Sequence, residues 1–109
     1  MHKVLMLLGL AKRAGKIIVG TDAVISKLQD NKLKLIFVAS DSSLSTIDKL
    51  EKKAFYYNVQ VIKSFSSIEL SHSLGTLHNK VIGITDEGFA KKMISELNEK
   101  VEREQTNES

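Results

Sequence analysis

Apolar residues recur every three or four positions over residues 2–14, a spacing that predicts a helix with one buried face. The residues of this face are Val4, Leu7, Leu8, Ala11 and Ala14. Gly15 is expected to end the helix, because Lys12 and Arg13 lie in the last turn, beside carbonyl groups that have no partner there.

Short runs of branched apolar residues predict four strands. The first is Ile17–Val19. The second, residues 33–39, is almost continuously apolar in its second half, which is typical of a central strand covered on both faces. Residues 59–62 and 81–84 have the same character and predict two further buried strands.

Helical spacing of apolar residues between and after these strands predicts four more helices. In the first of them, the core side is predicted to carry Ala23, Val24 and Leu28, which leaves Asp22, Ser26 and Gln29 toward water or a ligand. The last is predicted to face inward with Phe89, Met93, Leu97 and Val101. Each of these four helices has candidate capping residues at its start. In chain order they are the Thr21 hydroxyl for the first helix, Asp41 or one of the serines at 42, 43 and 45 for the second, Ser66 or Ser67 for the third, and Thr85 or Asp86 for the last. The expected ends of the three inner helices are Asn31, Asn58 and Gly75.

Because strands alternate with helices along the chain, we predict a single α/β domain with helices on both faces of one sheet. The chain of 109 residues is 42% hydrophobic and 27% charged, which fits one domain with a modest core. This domain is expected over residues 1–101, and residues 102–109 are expected to form a polar tail that frays.

Composition excludes several classes of site. Cysteine is absent, which excludes disulfides, thiolate zinc sites and cysteine nucleophiles, and with no signal peptide this predicts a cytoplasmic protein. No apolar run is long enough to cross a bilayer, so no membrane partner is expected. His2, His72 and His78 lack metal-ligand spacing, and no phosphate-binding loop is present, so we predict no metal, no cofactor and no enzymatic activity.

Positive charge is concentrated in the N-terminal half. Residues 1–63 contain eleven basic and five acidic residues, a net charge of +6, whereas residues 64–109 contain five and eight, a net charge of −3. The first twenty residues include Lys3, Lys12, Arg13 and Lys16 and no acid. An anionic partner is therefore expected on this half, and a merely solubilising surface is the alternative.

One segment carries a family resemblance. Lys12-Arg13-Ala14-Gly15-Lys16-Ile17-Ile18-Val19-Gly20-Thr21 resembles the Lys-x-Thr-Gly-Lys-x-x-x-Gly-Thr segment of the kink-turn-binding ribosomal proteins, the family named for large-subunit protein seven-Ae. The chain is similar in particular to the YlxQ-like members from bacteria with low-GC genomes. The likeness continues through residues 34–41 and 70–75 and covers about residues 3–97.

This resemblance implies a three-layer α/β/α sandwich with a four-stranded mixed sheet. It also implies a non-catalytic, ribosome-associated protein that is a monomer when free. The implied partner is structured RNA that contains a kink-turn, such as ribosomal RNA. In the family, the helix after the Gly-Thr pair lies in the widened major groove of a kink-turn, where sheared G·A pairs expose guanine edges.

The family's site maps onto numbered positions of this chain. Gly20 would let the backbone approach the RNA, Thr21 would bond to phosphate or cap the helix, and Lys12, Arg13 and Lys16 would supply charge. Asp22, Ala23 and Ser26 fall at the base-contacting positions. Gly75, Thr76, Leu77 and His78 form the loop expected to pack on a flipped-out base, with Leu77 or His78 as the stacking group.

Three of these positions depart from the family's pattern. Many kink-turn binders have Asn or Lys in place of Asp22, Glu or Gln in place of Ala23, and Lys in place of Ser26. Ala23 has no side-chain group to bond a guanine, and Asp22 repels phosphates, so binding is expected to be weaker or differently selective.

Two other functions stay open from the sequence. A protein-interaction scaffold of the same fold, with weak or lost RNA binding, would suit Ala23 and Ser26. A small phosphate-handling enzyme with a receiver-like topology would require Asp41 to line an open pocket with a second acid and a lysine.

Overall fold

A computed structural model describes residues 2–76 and 79–108, with the side chains of the last helix described as far as Asn98. Helices and strands alternate as the sequence predicts. In chain order they are α1 (Lys3–Arg13), β1 (Ile17–Val19), α2 (Thr21–Gln29), β2 (Leu35–Val38), α3 (Leu44–Tyr56), β3 (Val61–Ile62), α4 (Ser67–Leu74), β4 (Val81–Ile84) and α5 (Glu87–Glu108). The last helix thus continues to Glu108, through most of the tail predicted over residues 102–109.

The four strands form one mixed sheet in the order β1-β4-β2-β3. β4 pairs antiparallel with both β1 and β2, while β2 pairs parallel with β3. The two central strands are buried at every position, which explains why their sequences are almost entirely apolar. The sheet confirms the architecture that the family resemblance implies.

Helices cover both faces of this sheet and complete three layers. α1, α4 and α5 pack against one face, where alternate strand residues such as Phe37 and Ile82 point. α2 and α3 pack against the other face, toward Ile36 and Val38. In α5, Met93 is fully buried and Phe89 and Leu97 pack at the edge of the same core, as predicted, whereas the side chain of Val101 lies outside the described residues.

Three predicted helix starts and four predicted helix ends are confirmed, with Ser43 at the start of α3 and Gly15 after α1 among them. Ser66 and Glu69 form a reciprocal capping box at the start of α4. Asp86 accepts a hydrogen bond from the Phe89 amide at 2.9 Å and begins α5. Asn31, Asn58 and Gly75, predicted to end the three inner helices, all have a left-handed backbone conformation.

Two alanines predicted to be buried are exposed instead. Ala14 is the C-cap of α1, where the backbone leaves the helix and the buried face ends. Ala23 precedes Val24 by one residue, about 100° of helix rotation, and Val24 together with Leu28 already occupies the core side of α2. Ala23 therefore faces solvent at the start of α2.

Asp41 does not cap α3, whose N-cap is Ser43 with its hydroxyl accepting from the Thr46 amide at 3.2 Å. The Asp41 carboxylate instead accepts hydrogen bonds from the amide and the hydroxyl of Ser67, at 2.8 and 2.6 Å. These bonds join the turn after β2 to the first turn of α4. They stabilise the ionised carboxylate and hold the pKa of Asp41 below its ordinary value.

Replacing Asp41 with Asn should lower the free energy of unfolding at neutral pH, since the charged acceptor for both Ser67 donors is lost. A carboxyl group with a lowered folded-state pKa stabilises the fold above its unfolded pKa of about 4, and this contribution disappears as the pH falls through the folded value. The difference between wild type and Asp41→Asn, measured by urea unfolding, should therefore be largest near neutrality and shrink below about pH 4.

The matched control is Asp30→Asn, an exposed acid whose side chain bonds to no described residue. At neutral pH its stability difference from wild type should be smaller than that of Asp41→Asn, because no hydrogen bond between described residues is lost. Equal pH profiles for the two variants would contradict the assigned role of Asp41.

Candidate nucleic-acid interface

The segment between α1 and β1 positions two of the predicted cations. Gly15 has a φ of 71°, a left-handed conformation that ends the helix and turns the chain toward β1. The Lys16 amide donates to the Ala11 carbonyl at 2.9 Å, and the Lys16 carbonyl accepts from the Thr85 amide at 3.0 Å. Arg13 and Lys16 are exposed and make no ion pair with any described residue, so both charges are available to a ligand.

The start of α2 presents unpaired backbone amides. Gly20 is the N-cap, with a φ of 106° that side-chain-bearing residues rarely adopt, and no side chain of the described residues caps the helix. Thr21 is the first helical residue, so the predicted capping role of its hydroxyl is wrong. The amides of Thr21, Asp22 and Ala23 lack acceptors, and together with the positive end of the helix dipole they favour an anion.

Strand pairing places the first residue of β4, where the loop after α4 ends, beside this helix start. The Gly20 amide donates to the carbonyl of Val81, the first residue of β4, at 2.9 Å. α4 ends at Gly75, so residues 76–80 connect the end of α4 to a position adjacent to Gly20. Leu77 and His78, the residues expected to stack on a base, lie outside the described residues.

A groove of about 580 Å³ runs along the outer side of α4 next to this loop. Gly75 and Thr76 line it, together with Ile68, His72 and Lys80. Ile68 is 80% exposed, so the groove offers apolar surface with a cation at its margin. Sequence analysis missed Lys80, because only the pairing of β4 with β1 shows that this residue lies close to Gly20.

Lys12 has a contact that the sequence does not reveal. Its Nζ donates to the Leu74 carbonyl at 2.7 Å, where the last turn of α4 leaves carbonyl groups unpaired. The two helices approach closely at Gly9, since a Cβ there would lie 3.0 Å from the Ser73 carbonyl oxygen. Lys12 thereby anchors the base of the loop that begins at Gly75.

The predicted residues fall into two groups. One group lies toward the start of α2. Gly20, Thr21, Asp22 and Ala23 form that start, and Gly75 and Thr76 share a groove with Lys80, which precedes the Gly20 partner Val81. Ser26 lies four residues after Asp22, on the same side of α2, and both are exposed. Lys16 begins at the opposite end of β1, about 13 Å along the strand from Gly20, so it belongs to a second group with Arg13.

The receiver-like enzyme hypothesis is not supported. That topology requires a parallel sheet, whereas β4 runs antiparallel to both of its neighbours. Both carboxylate oxygens of Asp41 bond to Ser67, and no group of three or more potential metal ligands occurs in the described part of the chain. Over the same residues, none of the helices combines the length and hydrophobicity required to span a membrane.

Comparison with known proteins agrees with this geometry. An RNA-binding protein YlxQ of Enterococcus faecium is 43% identical over 91 residues, covering 84% of this chain and 87% of the relative. The RNA-binding protein YlxQ of Bacillus subtilis (strain 168) is 41% identical over 91 residues, covering 84% and 91%. These names describe RNA-binding proteins and no enzyme, which supports the prediction that the chain is not catalytic.

Solved structures share the fold. A protein of unknown function from Bacillus halodurans superimposes with a TM-score of 0.87 at 31% identity, covering 90% of this chain and 99% of that one. The Giardia lamblia 15.5kD RNA binding protein has a TM-score of 0.77 at 17% identity, covering 93% and 86%, and shows likeness of fold alone. The model of the Ribosomal protein L7Ae/L30e/S12e/Gadd45 family matches residues 2–94, and the chain therefore belongs to that family.

Proposed function

We propose that this protein binds structured RNA containing a kink-turn, and that the α2 amino terminus is the part that enters the RNA. The observation that supports this most directly is the set of unpaired amides at Thr21, Asp22 and Ala23, in an exposed turn that follows Gly20. The names of the YlxQ relatives give independent support for RNA as the ligand.

The backbone contacts supply affinity. Amides at the start of α2 donate hydrogen bonds to phosphate oxygens. The approach to Gly20 is open, because its chain neighbours are the only described residues within 4 Å of the position that a Cβ would occupy. Arg13 and Lys16 add charge at the other end of β1, so the phosphates of a sharply bent backbone are contacted over a width of about 13 Å.

Side chains on the first turns of α2 supply selectivity. Asp22 accepts hydrogen bonds from the N1 and N2 donors of a guanine whose edge is exposed in a sheared pair, and Ser26 lies one turn further along the same side. Ala23 faces the RNA without a hydrogen-bonding group. The groove beside Gly75 and Thr76 receives an extruded base, which packs on the exposed side chain of Ile68.

The protein acts as a rigid docking module without catalysis. We further propose that it is a monomer in the cytoplasm and that its RNA is ribosomal or another structured RNA associated with the ribosome. Its net charge of +3, concentrated in the N-terminal half, suits such a partner.

The proposal is tested by a gel-shift titration at stated salt with two RNAs, a kink-turn and the same RNA with its G·A pairs replaced by Watson–Crick pairs. The kink-turn should bind more tightly, because only sheared pairs expose the guanine edges and widen the groove. Equal affinity for the two RNAs would contradict the proposal. Binding of neither would favour the protein-interaction scaffold.

Replacing Lys16 with Ala should weaken binding to all RNAs and reduce the slope of log affinity against log salt by about one counterion. The matched control is Lys91→Ala, which removes the same charge from an α5 residue that is not assigned to the interface and that pairs with Glu87 at 3.3 Å. A salt slope that is the same in Lys16→Ala as in wild type would show that Lys16 contacts no phosphate.

Replacing Ala23 with Gln restores a group found in the family at this position and should tighten kink-turn binding by roughly 5- to 150-fold, the value of one good base contact. The folding cost should be small, because Ala23 is exposed on α2. The gain should vanish on the RNA with Watson–Crick pairs. A uniform gain on both RNAs would show that the new side chain does not contact the exposed guanine.

A further inference from the structure

The end of α3 exposes two aromatic rings that the interface described above does not use. Phe55 is 85% exposed and Tyr56 is 79% exposed, the highest values among the described aromatic residues. Tyr57 packs at the edge of the core between the sheet and α2 and α3. Its ring lies 4.9 Å from that of Tyr56, at an interplanar angle of 78°, so the exposed Tyr56 ring is supported from one side.

Lysines lie beside these rings without acidic partners. Lys49, Lys53 and Tyr56 recur at spacings of four and three on one side of α3. Neither lysine forms an ion pair with a described residue, whereas the neighbouring Lys52 is paired with Asp48 at 3.0 Å. The positive charge next to Tyr56 is therefore not neutralised within the described protein.

A polar cleft of about 300 Å³ lies between the ends of α2 and α3, next to the ring of Tyr57 that supports Tyr56. Tyr57 forms part of its lining, together with Asn31, Lys34 and Asn58. The two asparagines follow helix ends in left-handed conformations, and the side chains of these three polar residues bond to no described residue. Their amide groups can accept and donate hydrogen bonds toward a ligand in the cleft.

We propose that this aromatic–lysine surface, composed of Phe55, Tyr56, Lys49, Lys53 and the adjoining cleft, binds single-stranded RNA. One base stacks on Tyr56, the edge of a neighbouring base meets the asparagine amides, and the lysines neutralise the backbone. A protein partner fits less well, because lysine is depleted in the buried centre of protein interfaces.

The surface is separate from the kink-turn interface. The cleft lies at the end of α2 opposite to Gly20, and the nine residues of this helix span about 13 Å. A single strand leaving a bound structured RNA can therefore reach it, but binding here does not depend on kink-turn recognition.

Tyrosine fluorescence offers a direct test, since the chain has two tyrosines and no tryptophan, and both tyrosines belong to this region. Titration of the full chain with a short oligouridylate, corrected for absorption by the RNA, should quench the emission saturably. Affinity should then be measured by the anisotropy of a labelled oligouridylate. Tyr56→Ala should bind roughly 5- to 150-fold more weakly than wild type, which is the contribution of one stacked base. Tyr56→Phe keeps the ring and should bind as wild type.

The matched control is Leu44→Ala, which removes an equally exposed apolar side chain from the other end of α3 and should bind as wild type. Lys53→Ala should reduce the salt slope by about 0.7. Equal affinity of wild type and Tyr56→Ala for oligouridylate would overturn the proposal. Kink-turn binding should be the same in Tyr56→Ala and wild type. The oligouridylate test and the kink-turn test are therefore independent, and failure of either one leaves the conclusion from the other unchanged.

Discussion

The hydrogen bond from the Gly20 amide to the Val81 carbonyl is the constraint on which the interface depends. It is possible because β1 is an edge strand paired with central β4, and it brings together two residues that are 61 positions apart in the chain. The positive φ of Gly20 then lets α2 begin there, with its next three amides unpaired in the described structure. Sheet pairing, backbone conformation and helix start thus combine to form the one surface that we propose binds phosphate.

The fold could be predicted because its signals are local. The central strands are continuous apolar runs, since both faces are covered, and Asn58 and Gly75 stop helices through their own backbone preferences. The prediction that Ala23 faces the core is wrong, because a shift of one residue along a helix is enough to move a side chain from the core side of α2 to its exposed side. The predicted cap at Thr21 is likewise one position too late, because the N-cap of α2 is Gly20.

The remaining features are contacts over long separations in the chain, which no local pattern reveals. Asp41 meets Ser67 26 residues later, and the Lys12 side chain meets the Leu74 carbonyl 62 residues later. Both contacts fix α4, and through it the loop that begins at Gly75. The candidate site could thus be listed from the family resemblance, but its division into two groups along β1 and the anchoring role of Lys12 required the structure.

The central claim is that the amides at the start of α2 hold RNA phosphates. It is tested most directly by amide proton–nitrogen correlation spectra of the labelled protein, recorded during titration with kink-turn RNA. The resonances of Thr21, Asp22 and Ala23 should shift most and move downfield, because these amides gain charged acceptors where they have none in the described structure. Large shifts confined to other surfaces, with these three resonances unmoved at saturation, would contradict the account.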